Sequence, residues 1–264
     1  MGERGASQEM MDDYECIKLD GEGRQAGLCP VVVEAPLSIF INGRHFATAM
    51  ISPALREEFV VGHLYSERII SGRQELESLE VEGDVARAMI SHPLRAIVPR
   101  RPIVSGCGGI ASFLDQAKLP RIDSDLQIGI NQAREAMAAI SLSELHMATG
   151  GVHCVGLFGD GEPIIIEDIG RHNALDKAIG FALMRRNGFD FGRSYVACTG
   201  RVSSDMALKC SVAGISLVLS RGATTSLAIS IAQRTGLCII GFLRGKRMTV
   251  YSHGHRLEGL VPAG

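Results

Sequence analysis

The chain has 264 residues, 46% of them hydrophobic, and a formal net charge of -2. This is enough apolar material for a sizeable core in one or two compact domains, and it excludes a fibrous or intrinsically disordered chain. The near-balanced charge argues against sequence-independent nucleic-acid binding, which needs a broad basic surface, and no apolar stretch approaches the ~20 residues that span a bilayer. The N-terminus, with Glu3, Arg4, Glu9, Asp12 and Asp13, lacks a signal-peptide core. A cytoplasmic location with no membrane and no nucleic-acid partner is the expectation.

In chain order, residues 1 to 28 read as a polar, partly disordered leader. Val31 to Arg44 then predicts two strands, with Asn42-Gly43 supplying the positive φ angles of a hairpin turn. Ser52-Pro53 is a favourable helix start, so a helix is predicted to Ile69 with Leu55, Phe59 and Leu64 facing a core and His63 and Glu67 at the surface. Ser78 to Val98 suggests strands. A glycine-rich loop, Ser105-Gly106-Cys107-Gly108-Gly109, follows Arg100 and Arg101, and a helix from Asn131 to Met147 opens the second half. The expected division is a leader (1–28), a smaller α+β domain carrying the Cys107 loop (29–127) and an α/β domain (128–264).

The second half carries the clearest chemistry. Pro163 to Ile166 reads as a buried strand, and Leu175, Ile179 and Leu183 as one face of a helix. Between them Gly170-Arg171-His172-Asn173 sits at the helix N-terminus, where free N–H groups favour an anion. On their own these residues also fit a helix cap and a surface ion pair. Three more apolar strands run into arginines: Tyr195 to Cys198 into Thr199-Gly200-Arg201, Ile215 to Leu219 into Ser220-Arg221-Gly222, and Leu237 to Ile240 into Gly241-Phe242-Leu243-Arg244-Gly245-Lys246-Arg247. Helices over 205–213 and 226–235, closed by Gly214 and Gly236, separate them. Such alternation predicts a parallel sheet that binds ligands beyond its carboxyl ends, where Arg171, Arg201, Arg221 and Arg244 would stand. Arginine forks suit phosphate oxygens, so a phosphate-bearing ligand is expected.

Seven cysteines without a secretory signal read as reduced thiols. Cys154, Cys198, Cys210 and Cys238 fall in apolar patterns and read as buried. Cys107 is flanked by glycines and near arginines, which would expose its sulfur and favour the thiolate; the bland alternative is an ordinary loop cysteine.

Together these segments resemble the FdhD/NarQ family, the formate dehydrogenase accessory sulfurtransferases, over roughly residues 30 to 252. The resemblance rests on Glu34-Ala35-Pro36-Leu37-Ser38-Ile39-Phe40-Ile41-Asn42-Gly43, on Glu57-Glu58 with Ser66 to Ile70, on Thr149 to His153, on Gly170 to Lys177, on Thr199 to Ser203 and on Gly241 to Gly245. It implies a cytidine-deaminase-like three-layer domain joined to a smaller α+β N-terminal domain. The implied activity is sulfur transfer: sulfane sulfur from a cysteine desulfurase is held as a persulfide on Cys107 and passed to the molybdenum or tungsten bis-pterin guanine dinucleotide cofactor, for formate dehydrogenase. It also implies that residues 242–247 bind the cofactor, with GDP or GMP as mimics, that the arginines take its phosphates, and that His172, Asn173 and Thr199 read base or ribose; a homodimer is expected. The family's second loop cysteine is Ile110 here, which keeps open a delivery chaperone that binds the cofactor without sulfur chemistry. A zinc deaminase would need His-x-Glu and Pro-Cys-x-x-Cys pairs, and the sequence has neither.

Overall fold

The computed structural model describes residues 10–21, 23–92, 119–186 and 188–260. Met11–Asp20 (β1) and Gly23–Val32 (β2) form an antiparallel hairpin in register from Met11↔Val32 to Asp20↔Gly23. The reading of a partly disordered leader is corrected there: polar residues on both faces hide the alternation that usually marks a strand. Cys16 and Cys29 are joined by a disulfide, which corrects the expectation of seven reduced thiols. Cys16 faces Gly27 and Cys29 faces Tyr14 across the ladder, so the two are diagonal neighbours with Cα atoms 6.1 Å apart, within disulfide reach.

Ala35–Ile41 (β3), Arg44–Ile51 (β4), Leu76–Glu82 (β5) and Val85–Ile90 (β6) make a sheet of order β4-β3-β6-β5. Asn42 and Gly43, at φ 47 and 76, turn β3 into β4 as their sequence predicts. Arg56–Ser66 (α1) covers this sheet, and Phe59, Val60 and Leu64 pack with Leu37, Ile39 and Ile51 into the smaller core. The helix begins later than Ser52-Pro53 suggests. Ser52 donates its N–H to the Asp168 carboxylate at 3.1 Å and accepts the Ile169 N–H on its hydroxyl, so Leu55 opens the helix instead.

Ile128–Gly129 (β7) leads into Ile130–Ser141 (α2) and Glu144–Thr149 (α3). The single helix expected over 131–147 is thus two, because Ser143 caps the second by accepting the His146 N–H at 3.0 Å. The main sheet contains His153–Phe158 (β8), Ile164–Asp168 (β9), Tyr195–Cys198 (β10), Leu217–Ser220 (β11), Cys238–Arg244 (β12) and Arg247–Ser252 (β13), in the order β13-β12-β11-β10-β8-β9. Within this sheet only β10, β11 and β12 pair in parallel. The expected parallel sheet is corrected to a mixed one: short loops join β8 to β9 and β12 to β13, and these permit only antiparallel pairing.

Arg171–Leu183 (α4), Ser204–Ala213 (α5) and Ser226–Thr235 (α6) cover one face of this sheet, where Leu175, Ile179, Met206, Cys210 and Ile231 meet Val155, Val196, Val218 and Ile239. Helix α2 covers the other face, where Ala133, Met137 and Ile140 meet Tyr195, Ala197, Leu217 and Ile240. The chain is therefore a mixed α/β protein whose larger sheet lies between two helical layers. Strands buried on both faces explain why β10, β11 and β12 read as unbroken apolar runs. Leu257–Glu258 (β14) pairs with β7. No helix among the described residues is long and apolar enough to cross a membrane.

Helix α1 crosses α4 at two glycines. A Cβ on Gly62 would strike the carbonyl of Asp176, and one on Gly180 would strike the carbonyl of Glu58, so the two backbones touch. Buried charges flank the crossing. Asp176 accepts from His63 at 3.0 Å, from Ser66 at 2.7 Å and from Lys209 at 2.9 and 3.0 Å. His63, read from the sequence as a surface group, is buried because its partner lies 113 residues away. Lys177 donates to the Ser52 carbonyl at 2.8 Å and to Asp168 at 2.5 Å.

Candidate functional site

The carboxyl ends of β10 and β11, the turn out of β9 and the outer half of β12 meet at one edge of the main sheet, and each contributes an arginine. Gly200, just after β10, lies against Arg171 and His153: a Cβ there would come within 2.9 Å of the arginine's Cδ and 3.1 Å of the histidine's Nδ1. Gly222, just after β11, would place a Cβ 3.3 Å from the Arg201 nitrogen. These glycines are needed because three loops close on one another.

Hydrogen bonds lock those loops into a common floor. The Ser220 hydroxyl donates to the Gly200 carbonyl at 2.7 Å and accepts the Gly222 N–H at 2.9 Å. Arg221 N–H donates to Cys198 at 3.0 Å, and Phe242 N–H to the Gly222 carbonyl at 2.8 Å. Arg244 donates its Nε–H to the Arg221 carbonyl at 3.0 Å. Arg201, Arg221, Arg244, Lys246 and Arg247 are exposed on this floor. Arg244 and Arg247 face each other across the β12–β13 turn, where Gly245 takes φ 55.

Phe242 departs from strand geometry. It sits at φ 52 beside a register shift in β12, and the residue is 43% exposed while the next residue, Leu243, is buried in the core. A left-handed backbone on a bulky residue is uncommon and concentrates at functional sites. The shift leaves Phe242 exposed in the strand segment that ends at Arg244.

The Gly170 to Lys177 segment divides its residues between two tasks. Arg171 lies against Gly200, and His172 lies against the start of α5. The His172 Nε2 lies 2.9 Å from the hydroxyl of Ser203, which caps α5, and 3.5 Å from Asp205. Burial, and then the Arg171 charge, push this imidazole down to about 3, so it is neutral at physiological pH and acts through hydrogen bonds. Burial and Arg171 lower His153 as well. Asn173, by contrast, donates to the Met50 carbonyl at 2.8 Å and to Asp168 at 2.9 Å, and it ties β4 to α4. Thr199 is also held by the protein: its hydroxyl accepts the Cys154 N–H at 3.0 Å and extends the β8–β10 ladder.

The structure thus places Arg171, Gly200, Arg201, Arg221, Phe242 and Arg244 on adjoining loops, His172 against the start of α5, and Gly245, Lys246 and Arg247 at the β12–β13 turn, with Leu243 as the buried anchor of its strand. The amide of Asn173 and the hydroxyl of Thr199 are engaged in internal bonds. Cys107, with Arg100, Arg101 and Ile110, lies outside the described residues. The site-residue reading lacked His153, Ser203 and Asp205; the Thr149 to His153 segment was the one signal that pointed to His153. Among the described residues no group of three or more His, Cys, Asp or Glu is placed to hold a metal ion.

Comparison with known proteins decides the family. Residues 32–258 match the FdhD/NarQ family. The chain belongs to it. Relatives named "Sulfur carrier protein FdhD" include that of Geobacillus kaustophilus, 33% identical over 86% of this chain and 89% of the relative, and that of Xanthomonas axonopodis pv. citri, 35% identical over 89% and 88%. A crystal structure of a protein described as a formate dehydrogenase accessory protein from Desulfotalea psychrophila superposes with a TM-score of 0.77 at 26% identity, covering 94% of this chain and 99% of that one.

Proposed function

We propose that this FdhD/NarQ protein is a sulfur carrier in formate dehydrogenase maturation. In this reading it acts as a sulfurtransferase: a cysteine desulfurase loads Cys107 with sulfane sulfur, and the persulfide is delivered to the molybdenum or tungsten bis-pterin guanine dinucleotide as substrate. Displacement by a thiolate suffices for the loading step, and one sulfur is enough to hold the extra atom. The larger domain would share the cytidine-deaminase-like fold, and the protein would act as a cytoplasmic homodimer.

The observation that carries the reading is the locked floor of strand-end arginines at the sheet edge, with an exposed Phe242 in the strand that bounds it. Arg171, Arg201, Arg221 and Arg244 suit the two phosphates of a guanine dinucleotide, because each fork can bind two oxygens. Lys246 and Arg247 add charge, and the Phe242 ring suits the face of the base. The internal bonds of Asn173 and Thr199 favour roles in shaping this floor over direct reading of base or ribose. The names of the relatives support the sulfur-carrier part.

Calorimetry with GDP and GMP tests the cofactor site. Binding between millimolar and low-micromolar Kd, on the order of -4 to -8 kcal/mol, is expected. Arg244→Ala and Phe242→Ala should each weaken it; equal affinity in both variants removes this edge as the site. Loading with a desulfurase and free cysteine, followed by peptide mass spectrometry, tests the carrier step. Sulfur on Cys107 supports it. Its absence, with GDP binding intact, favours the second reading: a chaperone that delivers the cofactor without sulfur chemistry, the role that Ile110 in place of the family's second loop cysteine would suit.

A further inference from the structure

Of the cysteines the structure describes, Cys16 and Cys29 differ from the rest. Cys154, Cys198, Cys210 and Cys238 are buried, and burial raises all four thiols, the first, second and fourth to about 12. Thiols so protonated are poor nucleophiles. Cys16 and Cys29 are partly exposed on a two-stranded ribbon. Residues two apart share a strand face, so Lys18 stands beside Cys16 on the face that also carries Cys29. A neighbouring ammonium favours the thiolate once the bond is reduced. Where thiols are kept reduced, an accessible cysteine pair of this kind is more often transient and catalytic than structural.

We propose that Cys16 and Cys29 form a second sulfur-handling site, a dithiol that takes sulfane sulfur from a persulfide and releases it as sulfide. The Cys16 thiolate attacks the outer sulfur of the incoming persulfide; a Cys16 persulfide forms and the donor leaves as its thiolate. The Cys29 thiolate then attacks Cys16 Sγ, which closes the disulfide and expels hydrosulfide. Two electrons pass from the two thiols to the sulfane sulfur, which falls to the sulfide level. An external dithiol reductant restores the pair by thiol–disulfide exchange. The hairpin geometry suits the second step, because the strand ladder holds the two residues within bonding reach throughout. The proposal does not depend on the carrier role of Cys107.

The test uses full-length protein carrying Cys107→Ser, so that the loop contributes nothing. The protein is reduced with a dithiol, freed of it and given glutathione persulfide. About one sulfide per chain should be released, with loss of two thiols and a Cys16–Cys29 bond in the peptide map. Adding Cys29→Ser should stop the reaction at a Cys16 persulfide, seen as one added sulfur atom, an outcome that misfolding would not produce. Equal sulfide release from the variant lacking both Cys16 and Cys29, or a Cys16–Cys29 bond that resists the dithiol in the native protein, overturns the proposal. Failure of Cys107 loading by a desulfurase is a separate readout and bears only on the carrier reading.

Discussion

His172 shows how one residue is tuned by its neighbours. Burial and the Arg171 charge hold its imidazole at about 3, against 6.5 for a free histidine. Between those values the unfolded chain binds a proton that the folded protein refuses, so stability is complete above about pH 6.5 and is lost as pH falls through the window. His172→Gln should flatten the stability profile between pH 6 and 4, by up to about 1.4 kcal/mol per pH unit. Urea denaturation at several pH values reads this, and an unchanged slope would remove His172 as the source. Lys209 is the opposite case. Burial would lower its ammonium, but Asp176, Glu67 and Asp205 outweigh burial and raise it; in turn burial would raise the Asp176 carboxyl, and Lys209 and His63 hold it at about 2. Lys209→Met leaves Asp176 buried without its main countercharge and should cost about 3–5 kcal/mol in chemical denaturation, whereas a double variant that also makes Asp176 apolar should recover much of the loss.

At the scale of elements, the α1–α4 crossing is a joint at which two backbones touch. Gly62→Ala would drive a methyl group into the Asp176 carbonyl, and backbone cannot yield as a side chain end can. A loss of about 2–3 kcal/mol is expected, at the upper end of overpacking costs, because the helices must separate; a thermal midpoint equal to that of the parent protein would show that they slide instead. This joint also marks the limit of what the sequence discloses. Strands β10 to β12 and helices α5 and α6 were legible because their signals are local: apolar runs, with Gly214 and Gly236, at φ 81 and 86, as stops. The start of α1 was misread because the partner of Ser52 lies 116 residues away, and His63 for the same kind of reason. Hairpin β1–β2 was missed because its pairing lies in the main chain, with little in its side chains. In the candidate site the arginines were legible as strand-end residues, whereas the internal bonds of Asn173 and Thr199 depend on β4 and β8, whose placement no local pattern conveys.

At the scale of the whole molecule, two hydrophobic cores are coupled through an interface that neither could satisfy alone. Tyr65 and Leu183 pack against both cores. Asp168, Asp176, Lys177 and Lys209, on β9, α4 and α5, are buried where the end of β4 and helix α1 supply Ser52, His63 and Ser66 as partners. If the smaller core opened by itself, those charges would lose part of their hydrogen bonding, and leaving a buried charge uncompensated costs several kcal/mol. Separate melting of the two cores is thereby penalised. Hydrogen exchange along a urea series should give the same midpoint for peptides from β3, β4 and β6 as for peptides from β10 and β11. Asn173→Ala with Lys177→Met removes the latch to Met50 and Ser52 and should split the transition, with the smaller core opening first. Two midpoints in the parent protein would show that the buried charges do not couple the two cores, and the Gly170 to Lys177 segment would then serve the rim alone.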